Sequence, residues 1–247
     1  MKTKLIAIFC LIFPPSKLKN IILKQFGWEI AKNAYIGFSY ININKIILEE
    51  KGSIGHLNFI KVPCIKMKPK SYIQNLNRIT GPIYILLNDS AAIGNINTIK
   101  RAPHPISWGK SVLKIGHGSK ITSKHIIDCT RPVYMGNNSI LAGQGSQIWT
   151  HGYIHNSTGK DRFRIDGSIK IGNNVYIGSA TVINPGICIS DAITVGSHAT
   201  ISKSLHKAGL YVNQSLRHIE QDYEAAYQKY PKVNSQQTVE KIVHKKC

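Results

Sequence analysis

Branched apolar residues recur at a strict spacing of six late in the chain, at Ile171, Ile177, Ile183, Ile189, Val195 and Ile201. A helix places apolar residues every three or four positions and a half-buried strand every second one, so a period of six marks a repeat architecture. Each unit carries a second small or apolar residue four positions on (Val175, Thr181, Ile187, Ile193, Ala199), and Gly172, Gly178 and Gly196 directly follow three of the Ile/Val positions. Six residues suffice for one short strand and one tight corner. Three such units close a triangular coil with the Ile/Val positions stacked in columns inside, which predicts a parallel β-helix. Glycine suits the corners because it takes a positive φ without a Cβ penalty, and Asn173, Asn174 and Asp191 tolerate the same geometry.

Upstream the step of six survives in blocks: Leu48, Ile54 and Ile60; Ile79 and Ile85; Ile93 and Ile99; Ile115, Ile121 and Ile127; Met135 and Leu141. Slips of register part these blocks, and a solenoid admits inserted loops at such slips. Two insertions stand out, residues 100–110 containing RAPHPISWGK and residues 150–168 reading THGYIHNSTGKDRFRIDGS. The expected organisation is an apolar and amphipathic helical segment over 1–33, the β-helix over 34–207 with those two loops, and a C-terminal helix with a basic tail over 208–247.

The ends follow other periods. Leu5 to Phe13 is apolar but far shorter than the ~20 residues that a membrane-spanning helix needs. Lys2 and Lys4 precede it as in a signal peptide, yet Pro14, Pro15 and Lys17 do not make a small-residue cleavage site. Ser16 then reads as an N-cap, Leu18, Ile21, Ile22 and Phe26 share one helical face, Lys19 and Lys24 lie elsewhere, and Gly27 can end the helix. A basic amphipathic segment of this kind suits an anionic membrane surface; a helix closing the open end of the solenoid is the alternative, and the two are compatible. Leu216, Ile219, Tyr223, Ala226 and Tyr230 are spaced as in a helix that Pro231 stops, and 232–247 reads as a loosely ordered tail.

With 247 residues and 43% hydrophobic content, one elongated domain accounts for the chain. Thirty-two basic against 12 acidic residues give +20, which points to polyanionic company such as anionic lipid, an acidic polymer or a phosphorylated ligand. Nucleic acid is not expected, because no helix-turn-helix, zinc-finger or RNP-like motif accompanies the charge. The five cysteines are scattered without CxxC spacing, which fits a reducing cytosol rather than a disulfide framework.

INPG at 183–186, inside IGNNVYIGSATVINPG, together with the histidine-bearing insertion before it, resembles the hexapeptide-repeat acyltransferases, closest to the galactoside, maltose and cell-surface polysaccharide O-acetyltransferases. The resemblance covers about 36–217 and is strongest from Gln147 onward. It implies a left-handed β-helix, an all-β fold with a short helix at each end, a homotrimer, and acetyl-CoA as co-substrate. His151 in SQIWTHGYIH, 25 positions before Tyr176, matches the family's general base; a neutral imidazole suits the task because it accepts a proton near neutrality. His155 is the competing histidine and, with Trp149, is otherwise expected at the acceptor. His104, His117, His125, His198 and His218 read as ordinary loop or corner residues. His151 and His155 have the i, i+4 spacing of a helical metal pair, but Gly, Asn and Thr surround them, so no metal is expected.

Carried over the same way, Tyr176, Ser179, Ser197, Ser202, Lys203 and Arg217 are expected along acetyl-CoA, the last two near its phosphates and adenosine end, where cations are apt. Each serine read alone is equally a small corner residue. LYVNQSL at 210–216 departs from the family's closing motif, and Ser190 stands at a usual glycine. The implied function is transfer of acetyl to a sugar hydroxyl in O-antigen or capsule synthesis, on an anionic or lipid-linked acceptor, in the cytoplasm or peripherally at the inner face of the plasma membrane. N-acetylation of a nucleotide-linked amino sugar and a non-catalytic β-helix scaffold are the alternatives.

Overall fold

In the computed structural model, which describes residues 2–213, 222–233 and 241–245, the repeat closes into a left-handed parallel β-helix. The period-six residues separate into three interior columns: Ile177 and Val195 pair in one, Ile183 and Ile201 in the second, Ile171 and Ile189 in the third. The upstream blocks extend the same columns, through Ile36, Ile54, Ile73 and Ile93 in the first and Ile60, Ile79, Ile99 and Ile127 in the second. Nearly all of these side chains are buried, and each Ile or Leu removed from water contributes about 1.5–3 kcal/mol. Register slips are small additions at the corners: Ile36 to Ile54 is 18 residues, Ile54 to Ile73 is 19 and Ile73 to Ile93 is 20.

Between the first and second faces the corner is tied by a buried polar ladder. Ser39 Oγ accepts from Asn58 N, Asn58 Oδ1 from Asn77 N, Asn77 Oδ1 from Asn97 N, Asn97 Oδ1 from His125 N, and His125 Nδ1 from Ser146 N. From Asn58 onward the residue before each rung turns the chain at positive φ, including Leu57, Leu76 and even β-branched Ile96. Such a conformation in a branched residue is costly. The ladder offsets it by satisfying a backbone N–H on every coil.

Both insertions leave the opposite corner, between the second and third faces. Residues 101–110 join strands Thr98–Lys100 and Ser111–Ile115; residues 149–168 join Gln147–Ile148 and Ile169–Ile171. The second insertion is an antiparallel β-hairpin, His151–His155 against Arg162–Asp166, rather than an irregular loop.

Two helices close the first coil, α1 (Lys2–Ile12) and α2 (Lys17–Gln25), the latter capped by Ser16 Oγ, which accepts from Lys19 N at 3.1 Å. Ile6, Ala7, Cys10 and Leu23 face the β-helix. Lys19, which the helical pattern puts off the apolar face, is fully buried: its Nζ donates to the carbonyls of Cys10 (2.7 Å), Phe13 (3.0 Å) and Gly37 (2.9 Å). One ammonium thus satisfies the end of α1 and fastens it to the first coil, and burial lowers its pKa. The four described cysteines (Cys10, Cys64, Cys129, Cys188) are free.

Beyond the last strand of the β-helix, Gly209–Tyr211, the expected C-terminal helix is represented among the described residues by α3 (Tyr223–Gln228). The tail departs from expectation. Lys241–His244 forms a strand parallel to Arg162–Asp166, with Ile242 and Val243 buried, because the hairpin offers an unpaired edge and those two residues are apolar.

His125 carries a testable consequence. Burial pushes its imidazole down to about 4, against backbone hydrogen bonds that raise it. The unfolded chain protonates this residue below its ordinary ~6.5 while the folded one does not until about 4, so stability is present above 6.5 and is lost as pH falls through that window, by about 3 kcal/mol. His125→Asn continues the asparagine ladder without the titration. Urea unfolding at pH 6.5 and 4 should show the parent losing about that much more than the variant; equal losses would refute the assignment.

Candidate active site

Asp128 ends the strand Ile126–Asp128, at the corner that both insertions leave, one rung before Thr150. Its carboxylate is almost fully buried and every lone pair is used. Oδ2 accepts from His151 Nδ1 at 2.9 Å, from Thr150 N at 3.1 Å and from Thr150 Oγ1; Oδ1 accepts from Thr130 Oγ1 at 2.8 Å and Thr130 N at 3.3 Å. Burial raises the pKa of such a group, but the bond and charge of His151 and the threonine donors outweigh it and hold Asp128 below the usual carboxylate range. A carboxylate is an acceptor only, so it fixes the proton of His151 on Nδ1 and leaves Nε2 as the basic nitrogen.

The histidine is braced on both sides. Trp149 and Tyr153 meet its ring edge-on, at 6.2 and 6.1 Å between centroids. In the hairpin register His151 lies opposite Asp166, which is itself fully buried, accepting from Arg164 Nε at 2.8 Å and from Trp108 Nε1 at 2.6 Å. Trp108 comes from the other insertion, under the Arg131 guanidinium at 3.8 Å, and Arg131 N donates to Thr150 Oγ1 at 2.9 Å. The two insertions therefore lock each other, and the hairpin leaves the coil at a fixed angle. Its exit is pinned as well: a Cβ on Gly167 would lie 2.3 Å from Gly186 N, so only glycine fits where the hairpin meets the INPG corner.

His151 opens on a cleft of about 350 Å³ between hairpin and β-helix wall. Trp149, Tyr153, Asn184, Pro185 and Ser202 line it, joined by Tyr230 and Lys245 from the C-terminal segment. Lys245 packs over Gly186, and its N–H donates to Asp166 O at 3.0 Å. Among the described residues lining the cleft, Lys245 is the one charged side chain other than the titratable His151.

Of the residues expected from sequence, Trp149, His151 and Ser202 come together here, with Lys203 exposed beside Ser202. His155 lies at the far end of the same strand, exposed, paired across the hairpin with Arg162 and outside the cleft lining. Ser179 and Ser197 occupy the preceding corner, stacked one coil apart, and Tyr176 is exposed on the strand Tyr176–Ile177 leading to it. Arg217 and His218 lie outside the described residues. Asp128, Tyr230 and Lys245 were not expected. Among the described residues no cluster of three or more His, Cys, Asp or Glu is positioned to hold a metal.

No protein-family model matches the chain. Its sequence is 34% identical over 73 residues to galactoside O-acetyltransferase of Escherichia coli (strain K12), covering 30% of this chain and 36% of that protein. It is 32% identical over 82 residues to the bifunctional protein GlmU of Sulfurovum sp. (strain NBC37-1), covering 33% and 18%. The chain thus spans about a third or less of the curated relatives it matches. The crystal structure of the polysialic acid O-acetyltransferase OatWY superposes with a TM-score of 0.52 over 80% of this chain and 91% of that one, at 15% identity, a likeness of fold.

The network around Asp128 predicts a stability effect independent of any activity. Asp128→Ala leaves Thr130, Thr150 and His151 without their acceptor and should cost about 3 kcal/mol in urea unfolding near neutral pH. A loss below about 0.5 kcal/mol would show that the network does not hold the corner.

Proposed function

We propose that this hexapeptide-repeat left-handed β-helix is an acetyl-CoA-dependent O-acetyltransferase that modifies a sugar hydroxyl during cell-surface polysaccharide synthesis. The observation that carries this reading is the Asp128–His151 pair, with Nε2 left basic at the mouth of a cleft bounded by the INPG corner. His151 Nε2 takes the proton of the acceptor hydroxyl as its oxygen bonds to the thioester carbonyl carbon. Asp128 stabilises the imidazolium so formed. When the carbon–sulfur bond breaks, Nε2 returns the proton to the departing sulfur, leaving an ester and a free thiol.

Trp149 and Tyr230 offer aromatic faces to a sugar ring, and Lys245 supplies a positive charge suited to an anionic acceptor. Ser202 and Lys203 on the cleft side, with Tyr176, Ser179 and Ser197 across the neighbouring corner, are assigned to the pantetheine and phosphates; Lys203 is exposed, as a phosphate contact requires. Arg217 keeps its expected part at the adenosine end, whereas His155, at the far end of the hairpin strand and outside the cleft lining, is not assigned to the acceptor. The exposed corner at Ser179 and Ser197 is where a second copy would complete the coenzyme channel in a homotrimer, and a cytoplasmic site gives access to acetyl-CoA.

The test is a mass shift of one acetyl group in sugars or oligosaccharides incubated with acetyl-CoA and the protein, lost again under mild alkali as an ester is and an amide is not. His151→Ala should lower turnover by roughly a hundredfold to ten-thousandfold with coenzyme binding by calorimetry retained. Near-normal turnover would overturn the assignment of the base, and absence of coenzyme binding by the parent protein would favour a scaffold. Asp128→Asn keeps the shape of the network but lets the imidazole reverse its tautomer, so it should cost at least about a hundredfold in kcat.

A further inference from the structure

The outer surface of the helical cap is apolar where a solenoid cap is ordinarily polar. Capping units shield the open end of a β-helix and turn a polar face to water. Here the inner side of α1 is filled by Ile6, Ala7 and Cys10, and at about 100° per residue Leu5, Ile8 and Ile12 fall on the diametrically opposite side. They are 61%, 47% and 69% exposed. The second helix repeats the arrangement: Lys19, Asn20 and Leu23 are buried, while Leu18 and Ile21 stand opposite them at 56% and 54% exposure. The start of α1 and the end of α2 come near each other, with Lys2 Nζ lying 5.9 Å from the Phe26 ring. Each helix therefore turns apolar residues away from the β-helix.

Charge says what covers it. Lys2, Lys4, Lys17 and Lys24 are exposed beside the apolar residues, and the first acidic side chain of the chain is Glu29, beyond both helices. The remaining lysine, Lys19, is consumed inside, where it fastens α1 to the first coil. A face of branched apolar side chains flanked only by cations matches the boundary between acyl chains and anionic headgroups. Neither helix is long enough to cross a bilayer, so the contact is one of lying on the surface.

We propose that α1 and α2 form a docking surface for an anionic phospholipid membrane, with Leu5, Ile8, Ile12, Leu18 and Ile21 entering the interface and Lys2, Lys4, Lys17 and Lys24 at headgroup level. Lys19 is the positioning residue: by tying α1 to Gly37 it makes the cap part of the rigid body, so that binding orients the whole β-helix. The rung at Ile148 stacks five rungs from that at Ile41, about 24 Å at the ~4.8 Å spacing of strands. The cleft therefore stays clear of the bound end.

The experiment is sedimentation of the full-length protein with vesicles of phosphatidylglycerol mixed into phosphatidylcholine, against vesicles of phosphatidylcholine alone. Binding should be at least about tenfold stronger to the anionic vesicles and should weaken at high salt. Because a chain of charge +20 adheres to anionic surfaces by charge alone, the decisive variant keeps the charge: Ile8→Gln with Ile12→Gln should weaken vesicle binding by about tenfold or more, with Tm and coenzyme binding unchanged. Lys4→Gln with Lys24→Gln should do the same for the anionic vesicles. The proposal is overturned if the isoleucine pair binds vesicles as the parent does, if the parent ignores lipid charge, or if light scattering shows the isoleucine pair reducing the oligomer mass, which would make the face a contact between copies.

Discussion

Stacking of the three Ile/Val columns is the constraint on which the rest depends. Adjacent coils must keep every column in register at the strand spacing, so a coil has room for about 18 to 20 residues and no more. Additional chain has to leave the wall. It does so twice at one corner, on coils separated by the single rung that carries Asp128, and this proximity lets Trp108 of one insertion bond Asp166 of the other. A rigid wall and a shared corner convert two surface loops into one braced structure.

Electrostatics follows from that bracing. A buried carboxylate survives as an ion only where donors surround it, and Asp128 has two threonine hydroxyls, two backbone amides and the His151 ring. Asp166 is treated alike by Arg164 and Trp108. The two acids stand on the two sides of the hairpin's base, so the same charges that hold the hairpin set the tautomer of the histidine it presents. Support and chemistry are not separable here.

The ends of the β-helix are closed by different means. At the first coil an ammonium, Lys19, is satisfied by three carbonyls, and the helices it holds turn apolar residues both inward and outward. The C-terminal segment instead travels back to the hairpin and adds a strand, carrying Lys245 into the cleft over Gly186. One end meets the surroundings, the other the site.

The period of six, the corners and the two insertions could all be read from local pattern, because hydrophobic spacing and turn chemistry are properties of neighbouring residues; His151 stood out only through the resemblance to a family. Asp128 could not: it is an acid at the end of an ordinary strand, 23 residues before His151, and only the stacking of one coil on the next brings them within 2.9 Å. Lys19 and the strand Lys241–His244 were hidden for the same reason. A lysine in an amphipathic helix and a basic tail both look solvated in one dimension, and only tertiary packing decides that carbonyls or an open strand edge are waiting for them.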